Sequence, residues 1–307
     1  HCISSAATDV YKRQILQWLA FFFIYCFIGW CIESTIVSIE RKKIVNRGFL
    51  KLPLLPIYGS GAIIILIVCL PVRDSIFKVY FVGMICATIL EYIVGYFMEV
   101  IFKMKYWDYS NDKFNYKGRI CLVSSLFWGV LSVLLVEFIH TYIEGIVLLI
   151  HENNLEILVS CIFAMTCIDT FISAKESIDL NKVLKKISSL KNEIENTTSE
   201  IEEVLKGGYK DISYITAKEL IGSTKEKVEN LKMRLVKATE KRKEEITKLS
   251  LVKTRLIKNN PTVYSIQFND ALKEIKDRLL NKYGEKKSDI MERIGILQKK
   301  IEELSLI

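Results

Sequence analysis

The sequence lacks the signatures of several chemistries. No GxxxxGK[ST] phosphate loop occurs, and GGYK at Gly207–Lys210 is no substitute, so ATP hydrolysis by that mechanism cannot reside in these residues. No CxxC pair occurs among the eight cysteines. Cys26, Cys31, Cys69, Cys86, Cys161 and Cys167 instead lie inside apolar runs, where a thiol behaves as a small hydrophobe; neither a metal site nor a disulfide framework is expected. No Ser–His–Asp spacing is present, and His140 and His151 fall at the opposite end of the apolar half from its other polar residues. No catalytic residue and no cofactor is therefore expected, and the chain reads as a non-enzyme. A base-reading motif is absent too, and the interleaving of Glu and Lys through the C-terminal region argues against nucleic acid.

What is present divides in two. Half of the 307 residues are hydrophobic, yet a quarter are charged and the net charge is +8. Up to Lys175 the chain consists of apolar runs joined by short charged pieces, whereas residues 176–307 are rich in Lys, Glu, Ile and Leu and nearly free of aromatics. Two regions adapted to different solvents are the first inference. Residues 1–14, HCISSAATDVYKRQ, lack an initiator methionine and read as translated adapter sequence; they are expected to be a non-native scar and carry no weight in the fold reading.

Five runs approach the length needed to cross a bilayer as helices: Leu16–Ile39, Leu54–Leu70, Ile76–Phe102, Ile120–Ile139 and Leu155–Ile172. Tyr142–Ile150 is too short to span and is expected to lie at the surface or to re-enter. The fold class that follows is all-α: a polytopic transmembrane helix bundle of about five spans over residues 15–175. A cytoplasmic helical tail, coiled coil or bundle, is expected over 176–307. Sidedness comes from Lys and Arg in short loops. Loop one holds Arg41, Lys42, Lys43, Arg47 and Lys51, and loop three holds Lys103, Lys105, Lys113, Lys117 and Arg119. Loop two has only Arg73 and Lys78, and His140–Asn154 has neither residue type. Loops one and three and the tail are expected in the cytoplasm, with the N-terminus outside and the protein in the cytoplasmic (inner) membrane.

Three glutamates interrupt the runs: Glu33, Glu91 and Glu99. A charge at mid-bilayer costs ~3 kcal/mol on insertion scales, so such carboxylates face protein or water. Glu33 and Glu99 fall near the cytoplasmic ends of their helices, and Glu91 lies two turns deeper than Glu99. The same end collects Asn46, Arg47, Tyr58, Trp107, Asp108, Ser110, Asn115 and Arg119, with irregular backbone at Pro53, Pro56, Gly59 and Gly61. The reading is a polar cavity lined by Glu33, Glu91 and Glu99, with the other residues at its mouth, suited to cations, protons or a polar head group. The alternative is an interfacial aromatic belt with structural ion pairs, Glu33 or Glu99 against Arg47 or Arg119.

FIGWCIES (Phe27–Ser34), NRGFLKLPLLPIYGSG (Asn46–Gly61), EYIVGYFMEVIF (Glu91–Phe102), YWDYSNDKFNYKGRICL (Tyr106–Leu122) and SSLFWGVLS (Ser124–Ser132) stand in a fixed order and spacing. In these the chain resembles a family of small bacterial membrane proteins, the putative ABC-transporter permease (type IV) family, over about Leu16–Lys175. The resemblance implies a transport role beside a separate ATPase subunit. One departure is Leu52, where the family usually has glycine before the first loop proline; it puts a tight turn there in question.

In the tail, Leu180, Val183, Ile187, Leu190, Ile194, Thr197, Ile201 and Val204 alternate by three and four, a heptad seam that Gly207–Gly208 ends. Helical stretches are expected over Tyr214–Lys258, Val263–Tyr283 and Glu285–Leu304, with Asn259–Asn260–Pro261 as a break. Partners expected are the lipid bilayer and either a second copy of the chain or a coiled-coil partner. A transport subunit is the first functional expectation, and a scaffold or sensor anchoring an interaction tail is the second. A metal-assisted enzyme acting on lipid head groups is the third.

Overall fold

A computed structural model describes residues 2–207, 217–252 and 254–280. Its helices are α1 (Cys2–Arg41), α2 (Pro56–Cys69), α3 (Ile76–Phe102), α4 (Leu122–Val133), α5 (His140–Leu149), α6 (Glu152–Gly207), α7 (Ala217–Val252), α8 (Thr254–Asn259) and α9 (Asn269–Leu280). Two short strands, β1 (Met104–Lys105) and β2 (Tyr264–Ser265), pair antiparallel. Two compact units result. The first holds the chain to Asp179 together with Arg255–Ile266; the second holds Leu180–Thr254 and the described residues from Gln267 onward.

In the first unit four helical stretches are long and apolar enough to cross a membrane: Lys12–Arg41, Ile76–Phe102, Leu122–Leu149 and the N-terminal part of α6. The fifth expected span, α2 with the 3₁₀ turn that extends it to Val72, is shorter. It rises about 25 Å at helical pitch, just short of a hydrocarbon core. Pro56 can open α2 because the first helical amide needs no intrahelical acceptor.

The faces of α3 follow from its spacing. Phe77, Phe81, Ile85, Ile89, Ile93, Phe97 and Ile101 recur every fourth residue and are exposed, whereas Val79, Gly83, Ala87, Glu91 and Gly95 form an equally regular buried stripe. Large apolar side chains outside and small ones inside suit a helix that meets lipid and packs closely on its neighbours. A Cβ on Gly83 would stand 2.3 Å from Ser132 on α4. Backbone proximity, rather than side-chain bulk, seats α4 on α3.

Two expectations require correction. Tyr142–Ile150 neither re-enters nor lies apart, since Leu122–Leu149 is one unbroken apolar helix with a π-helical turn at Leu134–Ile139. The helix expected from Val263 begins instead at Asn269, as α9, because Val263 closes a turn onto the Asn260 carbonyl and Tyr264–Ser265 pair as β2. The all-α architecture holds, and the small β1–β2 pairing brings Arg255–Ile266 into the first unit. Helix α1 begins at Cys2, and Lys12 pairs with Glu156 at 2.9 Å.

The second unit is built on α6 and α7, which run antiparallel: Lys186 pairs with Glu245 and Arg234 with Glu200. Leu180, Ile187, Ile194 and Ile201, seven apart, are all buried, and Ile194 and Ile201 pack with Leu231, Leu235 and Ala238. Leu184 is buried in place of the expected Val183. Residues 285–304 lie outside the described residues.

Gly59 of α2 offers a direct test of this packing. A Cβ there would stand 2.4 Å from Cys26 Sγ and 2.6 Å from the Phe22 carbonyl oxygen, and the backbone oxygen cannot step aside cheaply. Gly59→Val should therefore destabilise the detergent-purified protein by about 3 kcal/mol. A thermal unfolding midpoint equal to wild type would show that α1 and α2 are not in this contact.

Candidate functional site

The buried stripe of α3 carries one carboxylate, Glu91, which is 5% exposed. Three donors converge on it: the Tyr109 hydroxyl at 3.0 Å from Oε1, with Trp128 Nε1–H at 3.1 Å and the Ser124 hydroxyl at 3.3 Å from Oε2. Trp128 and Ser124 lie one turn apart on α4, whose first turn Cys121 and Ser124 close by a reciprocal cap. Tyr109 comes from the loop after β1. Burial and the adjacent Glu91 hold its phenol far above the ordinary range, so it remains a donor.

Glu33 on α1 receives the Tyr58 hydroxyl at 2.8 Å, and Arg47 Nε stands 3.8 Å from its other oxygen. The Tyr58 ring packs on Trp128 with centroids 5.4 Å apart, which joins the Glu33 and Glu91 clusters through one aromatic contact. Gly29 makes this possible, since a Cβ there would fall 2.2 Å from a Tyr58 ring carbon. Arg47 is held from several sides: its amide donates to Ser34 Oγ at 3.1 Å, and its guanidinium donates to Asn260 Oδ1 at 2.8 Å and to the Tyr106 carbonyl at 3.4 Å. Burial lowers its pKa from the ordinary value while Glu33 opposes the shift. Asn46 accepts from Trp30 Nε1 at 2.7 Å and donates to the Lys51 carbonyl, so it shapes loop one.

Glu99 is separate from this cluster. Arg119 donates to it at 2.5 Å and to the Tyr92 hydroxyl at 3.1 Å, with the guanidinium 5.2 Å from the centroids of both Tyr92 and Tyr96. Trp107 Nε1 donates to the Arg119 carbonyl at 2.9 Å. Asp108, Ser110 and Asn115 do not reach the carboxylates. Asp108 accepts from Lys105 and from the amide and hydroxyl of Ser110, and Asn115 accepts from the Gly118 amide. They build the loop that delivers Tyr109, whose amide donates to the Gly118 carbonyl at 2.8 Å.

Sequence reasoning passed over Asp169. It is 6% exposed within the apolar part of α6, and its Oδ2 accepts the amides of both Lys51 and Leu52 at 2.8 Å. The signal was available: an acid inside an apolar run, followed four residues later by Ser173, which donates to Asp169 Oδ1. With this anchor Leu52 closes a three-residue turn, Leu54 N to Leu52 O at 2.7 Å, and needs no glycine. Tyr109 and Asn260 were also passed over. The cavity of about 370 Å³ beside α1, α5 and α6 is lined by apolar residues such as Phe23, Leu54, Val147 and Met165 and contains no carboxylate. Among the described residues no group of three His, Cys, Asp or Glu is placed to hold a metal ion.

Truncating Glu91 would leave the Tyr109 and Trp128 donors without their acceptor in a buried site, while the Ser124 hydroxyl keeps the Cys121 carbonyl at 3.0 Å. Glu91→Ala should cost about 3–5 kcal/mol, and Glu91→Gln, which keeps one acceptor oxygen, about 1 kcal/mol. Equal unfolding midpoints for the two variants would mean that the donors are satisfied without the carboxylate.

The model of the family described as "Putative ABC-transporter type IV" matches residues 20–174. Among curated proteins and among solved structures, nothing matches the chain. The matched segment contains Glu33, Glu91, Glu99, Asp169 and the loops that reach them, and the chain belongs to this family of ABC-transporter-related membrane proteins.

Proposed function

We propose that the protein is a permease-like membrane subunit that moves a small cationic or proton-coupled solute and relies on a separate ATPase. The observation that carries this reading is the charge balance of the joined clusters. Glu33 and Glu91, both in membrane-length helices, are accompanied by one guanidinium, that of Arg47. Two carboxylates against one cation leave a formal negative charge to be met by a proton or a cation, which is the chemistry expected of an intramembrane ion site. Glu99 has its own cation in Arg119 and serves as packing. Loops one and three meet the same end of the first unit, where Lys51 pairs with Glu176 and Tyr106 bonds Ser177. With their ten basic residues, that end is assigned to the cytoplasm of a cell whose inner membrane holds the protein. The ATPase would dock there, and a second copy of the chain would help to enclose the pathway.

A second reading is a scaffold or sensor, favoured by α6, which continues unbroken from the apolar region into the tail. Purification in mild detergent with mass analysis of co-purifying proteins and small molecules separates the two. The transport reading expects an ATPase with a phosphate loop in that sample. It also expects Glu33→Gln to reduce proteoliposome flux of the co-purified solute by roughly tenfold, about 1.4 kcal/mol in the rate-limiting step, with an unchanged unfolding midpoint. Unchanged flux together with a regulator in place of the ATPase would favour the scaffold.

A further inference from the structure

Arg255–Ile266 belongs to the first unit although the chain on both sides of it belongs to the second. Leu256, Ile257 and Val263 are at most 1% exposed and anchor it, and polar contacts add to them. The Arg255 guanidinium donates to Glu176 at 2.9 Å, to Ser173 Oγ at 3.1 Å and to the Phe49 carbonyl at 3.3 Å. Asn260, 2% exposed, donates to the Gly48 carbonyl at 3.1 Å and accepts from Arg47 at 2.8 Å. The Thr262 hydroxyl donates to the Tyr106 carbonyl at 3.1 Å, β2 pairs with β1, and the Ile266 amide donates to the Lys103 carbonyl at 3.1 Å. The segment therefore staples loop one to loop three. Those are the two loops that deliver Arg47 to Glu33 and Tyr109 to Glu91.

We propose that Arg255–Ile266 is a regulatory strap. Held down, it fixes Arg47 beside Glu33 and keeps the carboxylate network closed; drawn away by the helical unit at its two ends, it frees Arg47 and opens the network. This use of the strap rests on the network being the functional site. Three features suit it to release. A pair of two-residue strands is marginal by itself, so no large ladder has to break. Glu176 also binds Lys51 at 2.7 Å, so departure of Arg255 does not strand a lone carboxylate. The chain runs from the strap into α7 on one side and α9 on the other, so a rearrangement of those helices reaches it covalently.

The test is modification of the full-length protein in nanodiscs by phenylglyoxal, read at each arginine by mass spectrometry. Arg47 and Arg119 are similarly enclosed, with side chains 14% and 12% exposed, but the contacts of Arg119 are to Glu99 and the tyrosines of α3. Asn260→Ala, and more mildly Thr262→Val, should raise modification of Arg47 several-fold and leave Arg119 unchanged. A disulfide between Lys105→Cys and Tyr264→Cys, which face each other in the strand pair, should return Arg47 to the wild-type level in the Asn260→Ala background. No change at Arg47 in either variant, an equal rise at Arg119 in both, or a disulfide that restores nothing would overturn the strap. The labelling requires no transported solute. A strap that fails leaves the transport reading standing, whereas a network that carries no flux leaves the hold of the strap on Arg47 intact and removes its regulatory use.

Discussion

A carboxylate inside an apolar helix is the constraint around which the first unit is arranged. Glu91 lies midway along the buried face of α3, where an uncompensated charge costs ~3 kcal/mol or more. The unit answers by bringing donors to it. α4 approaches so closely that glycine and serine meet at the contact, which sets Trp128 and Ser124 within reach. The loop after β1 folds back through Asp108, Asn115 and Gly118 to set Tyr109 on the remaining oxygen. The aromatic and polar richness of that loop follows from this task.

Loop one answers a second constraint of the same kind. Its backbone is irregular between two apolar helices, so its amides and carbonyls need partners that helices would otherwise supply. Asp169 takes two of the amides, Ser34 a third, and Asn260 and Arg255 bind the carbonyls of Gly48 and Phe49. Side chains from α1, α6 and the strap thus fix a loop that has no secondary structure of its own between Lys43 and Leu55.

Much of this was legible in the sequence for a simple reason: charge in an apolar run is rare enough to be conspicuous. Glu33, Glu91 and Glu99 were visible on that ground, and α3 was legible to the residue because its ends coincide with changes of composition. Their partnerships were less legible. Depth along the helix suggested that Glu33 and Glu99 share a level, but depth says nothing about direction around the axis. Eight residues turn the helix by about 80° beyond two full turns, so Glu91 faces α4 while Glu99 faces Arg119. Asp169 was equally conspicuous, and Ser173 four residues on marked it, yet its partners in loop one are backbone amides, which leave no mark in the side-chain pattern. The strap was hidden for another reason. Its contacts join residues 79 to 213 positions apart, and a break at Asn259–Pro261 reads locally as a turn between helices.

The two proposals are linked through Arg47. In the proposed scheme the guanidinium offsets part of the negative charge of Glu33 and Glu91 while the strap is down; with Asn260 withdrawn it would be free to leave, and the site would gain affinity for a cation. Linkage makes the relation reciprocal, because a cation that binds the open network more tightly must also favour release of the strap. Burial strengthens the coupling, since charges held out of water interact over a lower effective dielectric than surface pairs. A helical unit that moves the strap would then set cation affinity at the membrane end without contacting the ion. The cation, in turn, would report its presence to the helical unit through the same few residues.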